Sequence, residues 1–462
     1  MSTAPPTAPA PAPDAAPAPP RRGWAALRPL VLRLHFYAGV LVAPFLLVAA
    51  ATGFLYAGAF QAEKLLYAHE LYVPVGDTEL PVSQQVAAAR KAHPEGTVAA
   101  VRPSPADGES TRVMLSGTEG VDADHTLAVF VDPYTAEVRG ALEQYGSTGA
   151  LPVRTWIDEF HRDLHLGEPG RLYSELAASW LWVIAAGGLL LWFSRRRALR
   201  RVRGTAGRRR TLGLHGTVGV WAALGFLFLS ATGLTWSTYA GAHIDDLRTS
   251  LRQATPSLPA SGDGHGGHGG AAATGGTDGP GAGLDQVLAA ARAEGLSDPV
   301  EIVPPADASS AYVVRQVQRA WPTKQDAVAV DPASGEVTDV LRFEDFPVLA
   351  KLTRWGIDLH TGVLFGLVNQ IALMALTLAL ILLIVWGYRM WWQRGRGTAF
   401  GRPVPRGAWR QVPPRVLVPL AALVAALGYV VPLLGIPLAV FVAVDAVRGE
   451  IAYRRERAAQ EV

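Results

Sequence analysis

The chain of 462 residues contains no cysteine. That absence excludes disulfides, thiolate-ligated haem, iron-sulfur clusters and a thiol nucleophile together, so any domain outside a membrane must fold on its own apolar core. Charge is sparse too, at 18% of residues. No Gly-x-Gly-x-x-Gly opens a helix after a strand, which leaves no fingerprint for a nicotinamide or flavin dinucleotide. The first 20 residues are a Pro/Ala tract without the basic start, apolar centre and cleavage site of a signal peptide, and are expected to form a disordered tail.

Half of the residues are apolar, and they are bunched rather than spread. Runs of roughly 20 apolar residues cross a hydrocarbon core of about 30 Å. Four runs qualify, at about 34–60, 176–193, 212–236 and 363–386, and a fifth at 416–447 is split by Pro432 and Pro437 into an expected helical hairpin, with a single tilted helix as the alternative. Arginines orient the spans, because cytoplasmic loops carry the excess of basic residues. They cluster at Arg195 to Arg210, at Arg389 to Arg396, at Arg448 to Arg455 and ahead of the first span, so these segments are expected inside and the amino terminus is cytoplasmic. The net charge of +3 follows from this topology, and no nucleic-acid partner is inferred from it. Expected segments are a tail (1–29), first span (30–60), outward unit (61–152), outer-face helix with second span (153–194) and Arg-rich loop (195–211). The third span (212–240), second outward unit (241–346, with a Gly/His-rich linker at 261–283), outer-face helix with fourth span (347–392), loop (393–415), hairpin (416–447) and cytoplasmic tail (448–462) follow.

The chain repeats itself. Leu34-His35 with Gly39 and Ala51-Thr52-Gly53 recurs as Leu214-His215 with Gly219 and Ala231-Thr232-Gly233, and Asp163-Leu164-His165 recurs as Asp358-Leu359-His360. Each outward segment reads as a helix, at Val82 to Ala92 and Leu284 to Ala293, followed by strands. Strands are expected at Thr97 to Val101, Thr111 to Leu115, Thr126 to Val131, Tyr312 to Val317 and Ala327 to Val330. Asp132-Pro133 to Val138 and Asp331-Pro332 to Val337 close the two units as tight hairpin turns.

This pattern resembles the PepSY-associated transmembrane family over about residues 30–392. The resemblance implies an α-helical integral membrane bundle, four core spans as two repeats plus the hairpin, with two extracytoplasmic α+β PepSY-like domains. It further implies kinship with haem-containing inner-membrane reductases of ferric siderophores. Four matched histidines then form two layers, His35 with His215 at the cytoplasmic helix ends and His165 with His360 at the outer face. Two facing imidazoles per layer suit bis-histidine haem b, probed as two haems that pass electrons outward to ferric iron; imidazoles alone serve zinc or copper equally. His161 stands four residues before His165, so either is eligible; the repeat favours His165, with His161 as a supporting or alternative ligand. Partners implied are membrane lipid, a ferric siderophore or other iron chelate, and a separate electron donor, protein or quinol. The alternative is a non-enzymatic, membrane-anchored binding or regulatory protein that handles a peptidase or a metal.

Overall fold

A computed structural model describes residues 23–200, 206–258, 282–307, 310–394 and 412–459. Most of the Gly/His-rich linker, of the expected amino-terminal tail and of the 393–415 loop lies outside these residues. The tail ends earlier than expected, because helix α1 (Trp24–Leu41) already includes residues 24–29.

Among the described residues five helices are long and apolar enough to cross a membrane, and the chain is a multi-pass integral membrane protein. The first run is two helices, α1 and α2 (Ala43–Leu66), joined at Val42. Pro44 sets this joint: lacking an N–H and fixing its own φ, it begins a helix readily but interrupts one that arrives from behind. Helices α6 (Glu168–Arg200), α7 (Gly207–Leu234) and α11 (Gly366–Trp392) complete the central bundle with α1 and α2, around a core that includes Ala38, Leu46, Trp180, Phe226 and Leu380. The opposite faces are left for lipid, as at Trp221, which is 85% exposed in the isolated chain. Two shorter helices, α5 (Pro152–Asp163) and α10 (Val348–Thr361), sit at one end of the bundle and pack on α2 and α7, which are followed in the chain by the short helices α3 (Ala68–Leu71) and α8 (Tyr239–Ser250). The last apolar run forms α12 (Pro414–Val430) and α13 (Pro432–Ala458), which turn at Val431 where Gly428 and Gly435 let the backbones meet. Helix α13 lies along α1 through an Arg33–Asp445 ion pair and a Tyr37–Phe441 ring contact.

At the α5/α10 end, the two outward units are not separate sheets. Strands β1 (Thr97–Arg102), β2 (Thr111–Ser116), β3 (His125–Val131) and β4 (Val138–Tyr145) form one antiparallel meander, and β5 (Val300–Val303), β6 (Tyr312–Gln316), β7 (Ala327–Val330) and β8 (Val337–Leu341) form a second. They join through β1 and β5, with Val101 opposite Ile302, into a single eight-stranded sheet ordered β4-β3-β2-β1-β5-β6-β7-β8. Helices α4 (Val82–Ala92) and α9 (Leu284–Ala293) lie side by side on one face, where Ser83 N–H donates to Asp285 across 3.2 Å. Val86, Val101, Val113, Val287, Ile302 and Val314 share one core beneath them, so the halves bury a common apolar interior. The repeated Asp-Pro turns behave as expected. Asp132 accepts from the Tyr134 and Thr135 amides, Asp331 from those of Ala333 and Ser334, and the left-handed position falls on Ala136 and Gly335.

Candidate functional site: two pairs of half-buried histidines

His35 of α1 and His215 of α7 come together inside the bundle, with ring centres 6.3 Å apart and ring planes at 79°. Each Nδ1 faces a carbonyl oxygen of another helix, His35 that of Ile184 on α6 at 3.0 Å and His215 that of Leu383 on α11 at 3.1 Å. A carbonyl only accepts, so both Nδ1 atoms carry the proton and both Nε2 atoms keep a lone pair. The approach depends on glycine. Gly188 and Gly387 each lie four residues after the accepting carbonyl, and an added Cβ would stand 3.2 Å from His35 Cε1 at the first and 4.0 Å from His215 Cε1 at the second.

The other pair is His161 of α5 with His360 of α10, near enough to interact electrostatically. His161 Nδ1 donates to Thr52 Oγ1 at 2.8 Å and His360 Nδ1 to Thr232 Oγ1 at 2.7 Å. Each hydroxyl spends its own proton on a carbonyl one helical turn back, Val48 at 2.8 Å and Phe228 at 2.9 Å, which leaves its oxygen to accept. The tautomer is therefore again the one with Nε2 free. The duplicated Ala-Thr-Gly gains a physical meaning. Its threonine orients the imidazole, and its glycine makes room, since an added Cβ would lie 3.3 Å from His161 Cε1 at Gly53 and 3.9 Å from His360 Cε1 at Gly233.

The structure brings His35 and His215 together as the spacing suggests, but it places His161, not His165, in the position matching His360. Helix α5 stops at Asp163, and Leu164 and His165 both adopt left-handed backbone, at φ 59° and 54°. That turn carries His165 off the helix face. Its ring lies on Phe160, with centres 5.9 Å apart and planes at 19°, and its Nδ1 is 3.2 Å from Glu159. Helix α10 instead runs through His360 to Thr361 and ends at Gly362, so equal spelling at Asp-Leu-His conceals different backbone. Of the arginines at this level, Arg162 meets Asp163, Arg171 meets the Trp236 carbonyl, and Arg354 meets Asp358. His69 pairs with Arg139 and His243 with the Val430 carbonyl, away from both pairs.

The inner pair can be compared with what a six-coordinate metal requires. Two metal–nitrogen bonds of about 2 Å in line, with about 1.1 Å from each nitrogen to its ring centre, separate the ring centres by about 6.2 Å. The observed 6.3 Å matches that separation of ring centres. The donor set, neutral imidazole with the second nitrogen hydrogen-bonded, is the one metal-ligating histidines use. A family model described as the PepSY-associated TM region matches residues 32–394. No curated protein matches the chain.

Proposed function

The chain belongs to the PepSY-associated transmembrane family, and from that premise we propose that it is a membrane electron carrier holding two haems b, one between His35 and His215 and one between His161 and His360. The observation that carries this reading is the 6.3 Å ring separation with both Nδ1 protons occupied elsewhere. Haem, when bound, supplies reversible one-electron transfer at iron. The chain's own part is to present lone pairs at Nε2, hold each ring by a fixed acceptor, and keep bulk away through Gly53, Gly188, Gly233 and Gly387. In this reading the arginine-rich loops are cytoplasmic and the sheet faces outward, where a ferric siderophore or other ferric chelate is the electron acceptor.

A donor separate from this chain, a protein or a membrane quinol, meets it at the other end. A cavity of about 360 Å³ lined by Arg210, Thr211, Leu214, Trp386 and Arg389 lies there, and Leu214 directly precedes His215. Its two guanidiniums and one indole suit a flat, polar-edged donor better than an apolar one.

A second reading, a membrane-anchored PepSY protein that binds or regulates without redox chemistry, has the broader support. The family description names no redox centre. In the sheet, Asp122, His125 and Glu143 each bring a ligand atom within 4.8 Å of the others, which favours metal handling. Absorption spectra of the detergent-purified protein from haem-replete cells separate the two. A Soret band that shifts on dithionite reduction, with sharp α bands, supports the carrier, and a colourless protein rejects it in favour of the binding reading.

A further inference from the structure

We infer that the first half of the sheet, on its side facing the bundle, binds a hydroxycarboxylate anion, with Arg102 and Arg112 taking a carboxylate and Gln144 its hydroxyl. Arg102 on β1 and Arg112 on β2 stand directly opposite each other in the antiparallel register. Their neighbours Val101 and Val113 lie under α4 and α9, so alternation sends both arginines to the other face, with Phe130 and Leu151. Like charges facing each other across two strands destabilise the pair. Only one of the two is neutralised. Arg102 donates to Glu301 at 2.6 Å, a carboxylate it shares with Arg315. Arg112 makes no hydrogen bond or ion pair among the described residues, and its guanidinium lies 5.3 Å from the centre of the Phe130 ring. Glu63, whose charge reaches Arg112, is held by Arg154 at 2.6 and 3.2 Å. Burial, with the charges of Arg102 and Arg154, pulls Arg112 down to about 10 from 12.5, a penalty that a bound anion would relieve.

The free groups converge on one point. An added Cβ at Gly149, in the turn between β4 and α5, would stand 2.8 Å from Arg102 Nη1, 3.3 Å from Arg112 Nη1 and 3.2 Å from Gln144 Oε1. Gln144 is 5% exposed, and this oxygen is buried without a hydrogen-bond partner. Donors in excess beside an orphaned acceptor suit a ligand that both accepts and donates. A carboxylate with a neighbouring hydroxyl does both: the guanidiniums donate to its oxygens, and its O–H donates to Gln144. Gly149, at a left-handed φ of 61°, keeps the approach clear of a side chain.

The duplicated half shows how the fold fills this place when it needs only stability. There Val303 and Val313 stand opposite each other in the positions of Arg102 and Arg112, and they pack with Leu258, Ala327 and Ala329. The inference deepens the carrier reading and rests on it for the iron alone: the electron acceptor is then a ferric chelate that carries free hydroxycarboxylate groups.

The test is calorimetric titration of sodium citrate into the full-length, detergent-purified chain, with thermal melts and haem spectra on the same samples. One equivalent is expected to bind the native protein, about ten-fold or more weakly in Arg112→Val and about three-fold or more weakly in Gln144→Leu. Citrate should raise the melting point of the native protein and not that of Arg112→Val. Without citrate, Arg112→Val copies the apolar half and should melt no lower than the native protein, which keeps its loss of binding apart from loss of fold. Absence of citrate binding by the native protein, or equal affinity in folded Arg112→Val, overturns the proposal. Loss of haem from Arg112→Val with citrate binding unchanged also overturns it and assigns the guanidinium to a haem propionate. A colourless native protein that binds citrate through Arg112 supports the site and rejects the carrier alone.

Discussion

Glu301→Gln should loosen the seam that makes one sheet out of two. Glu301 lies on β5 with 4% of its side chain exposed, and it bridges Arg102 on β1 across the seam at 2.6 Å and Arg315 on β6 at 2.8 Å. Removing one member of a buried ion pair costs about 3–5 kcal/mol, because the partner is left charged and dry. Two features reduce that cost here. The Arg315 side chain is 50% exposed and can turn to water, and the glutamine carbonyl still accepts from one guanidinium. The expected loss is about 2–3 kcal/mol, which lowers the melting point of the sheet by roughly 5–10 °C. Amide exchange should accelerate first in β1 and β5 and much less in β3 and β7. An unchanged melting point with unchanged exchange at the seam would refute the reasoning and make the β1–β5 pairing unimportant to the fold.

The same carboxylate predicts an acid transition. Burial alone would raise the pKa of Glu301, but the Arg102 and Arg315 guanidiniums outweigh it and hold the group at about 2, below its ordinary 4.5. Its stabilisation is complete above about 4.5 and is lost as pH falls toward about 2, so the melting-point gap between the native chain and Glu301→Gln should close across that window. Asp358→Asn leaves Arg319 and Arg354 without their shared carboxylate, and the end of α10 should lose about 3 kcal/mol, read as faster proteolysis there. If the outer pair holds haem, Thr52→Val should release one of the two haems to an apo-acceptor about ten-fold faster while Thr52→Ser does not. Equal rates in Thr52→Val would show that the hydroxyl does not orient a ligand.

The spans, the duplication and the Asp-Pro hairpins were legible because each rests on local patterning: long apolar runs, matched spellings and a turn with its own hydrogen bonds. Strands β4, β5 and β8 were not. β5 has four residues, and β4 and β8 are half-exposed and mix Arg, Glu, Gln, Thr and Asp among their apolar positions, so neither strict alternation nor a buried run marks them. The fusion of the halves escaped for another reason. Edge pairing between β1 and β5 depends on backbone groups that carry no side-chain signature.

The inner histidines were found by recurrence alone, whereas the outer layer required backbone geometry. His165 and His360 share a tripeptide, but α5 ends two residues before His165 and α10 continues past His360. The usable signal was the other repeat. Thr52 and Thr232 each fix an imidazole, and the histidines they fix are His161 and His360.

Haem content per chain, measured as the pyridine haemochrome in native, His161→Ala and His165→Ala proteins, tests the central claim most directly. Two haems in the native chain and in His165→Ala, with one in His161→Ala, is the predicted result. Loss of haem in His165→Ala with none lost in His161→Ala, or no haem in any of the three, contradicts it.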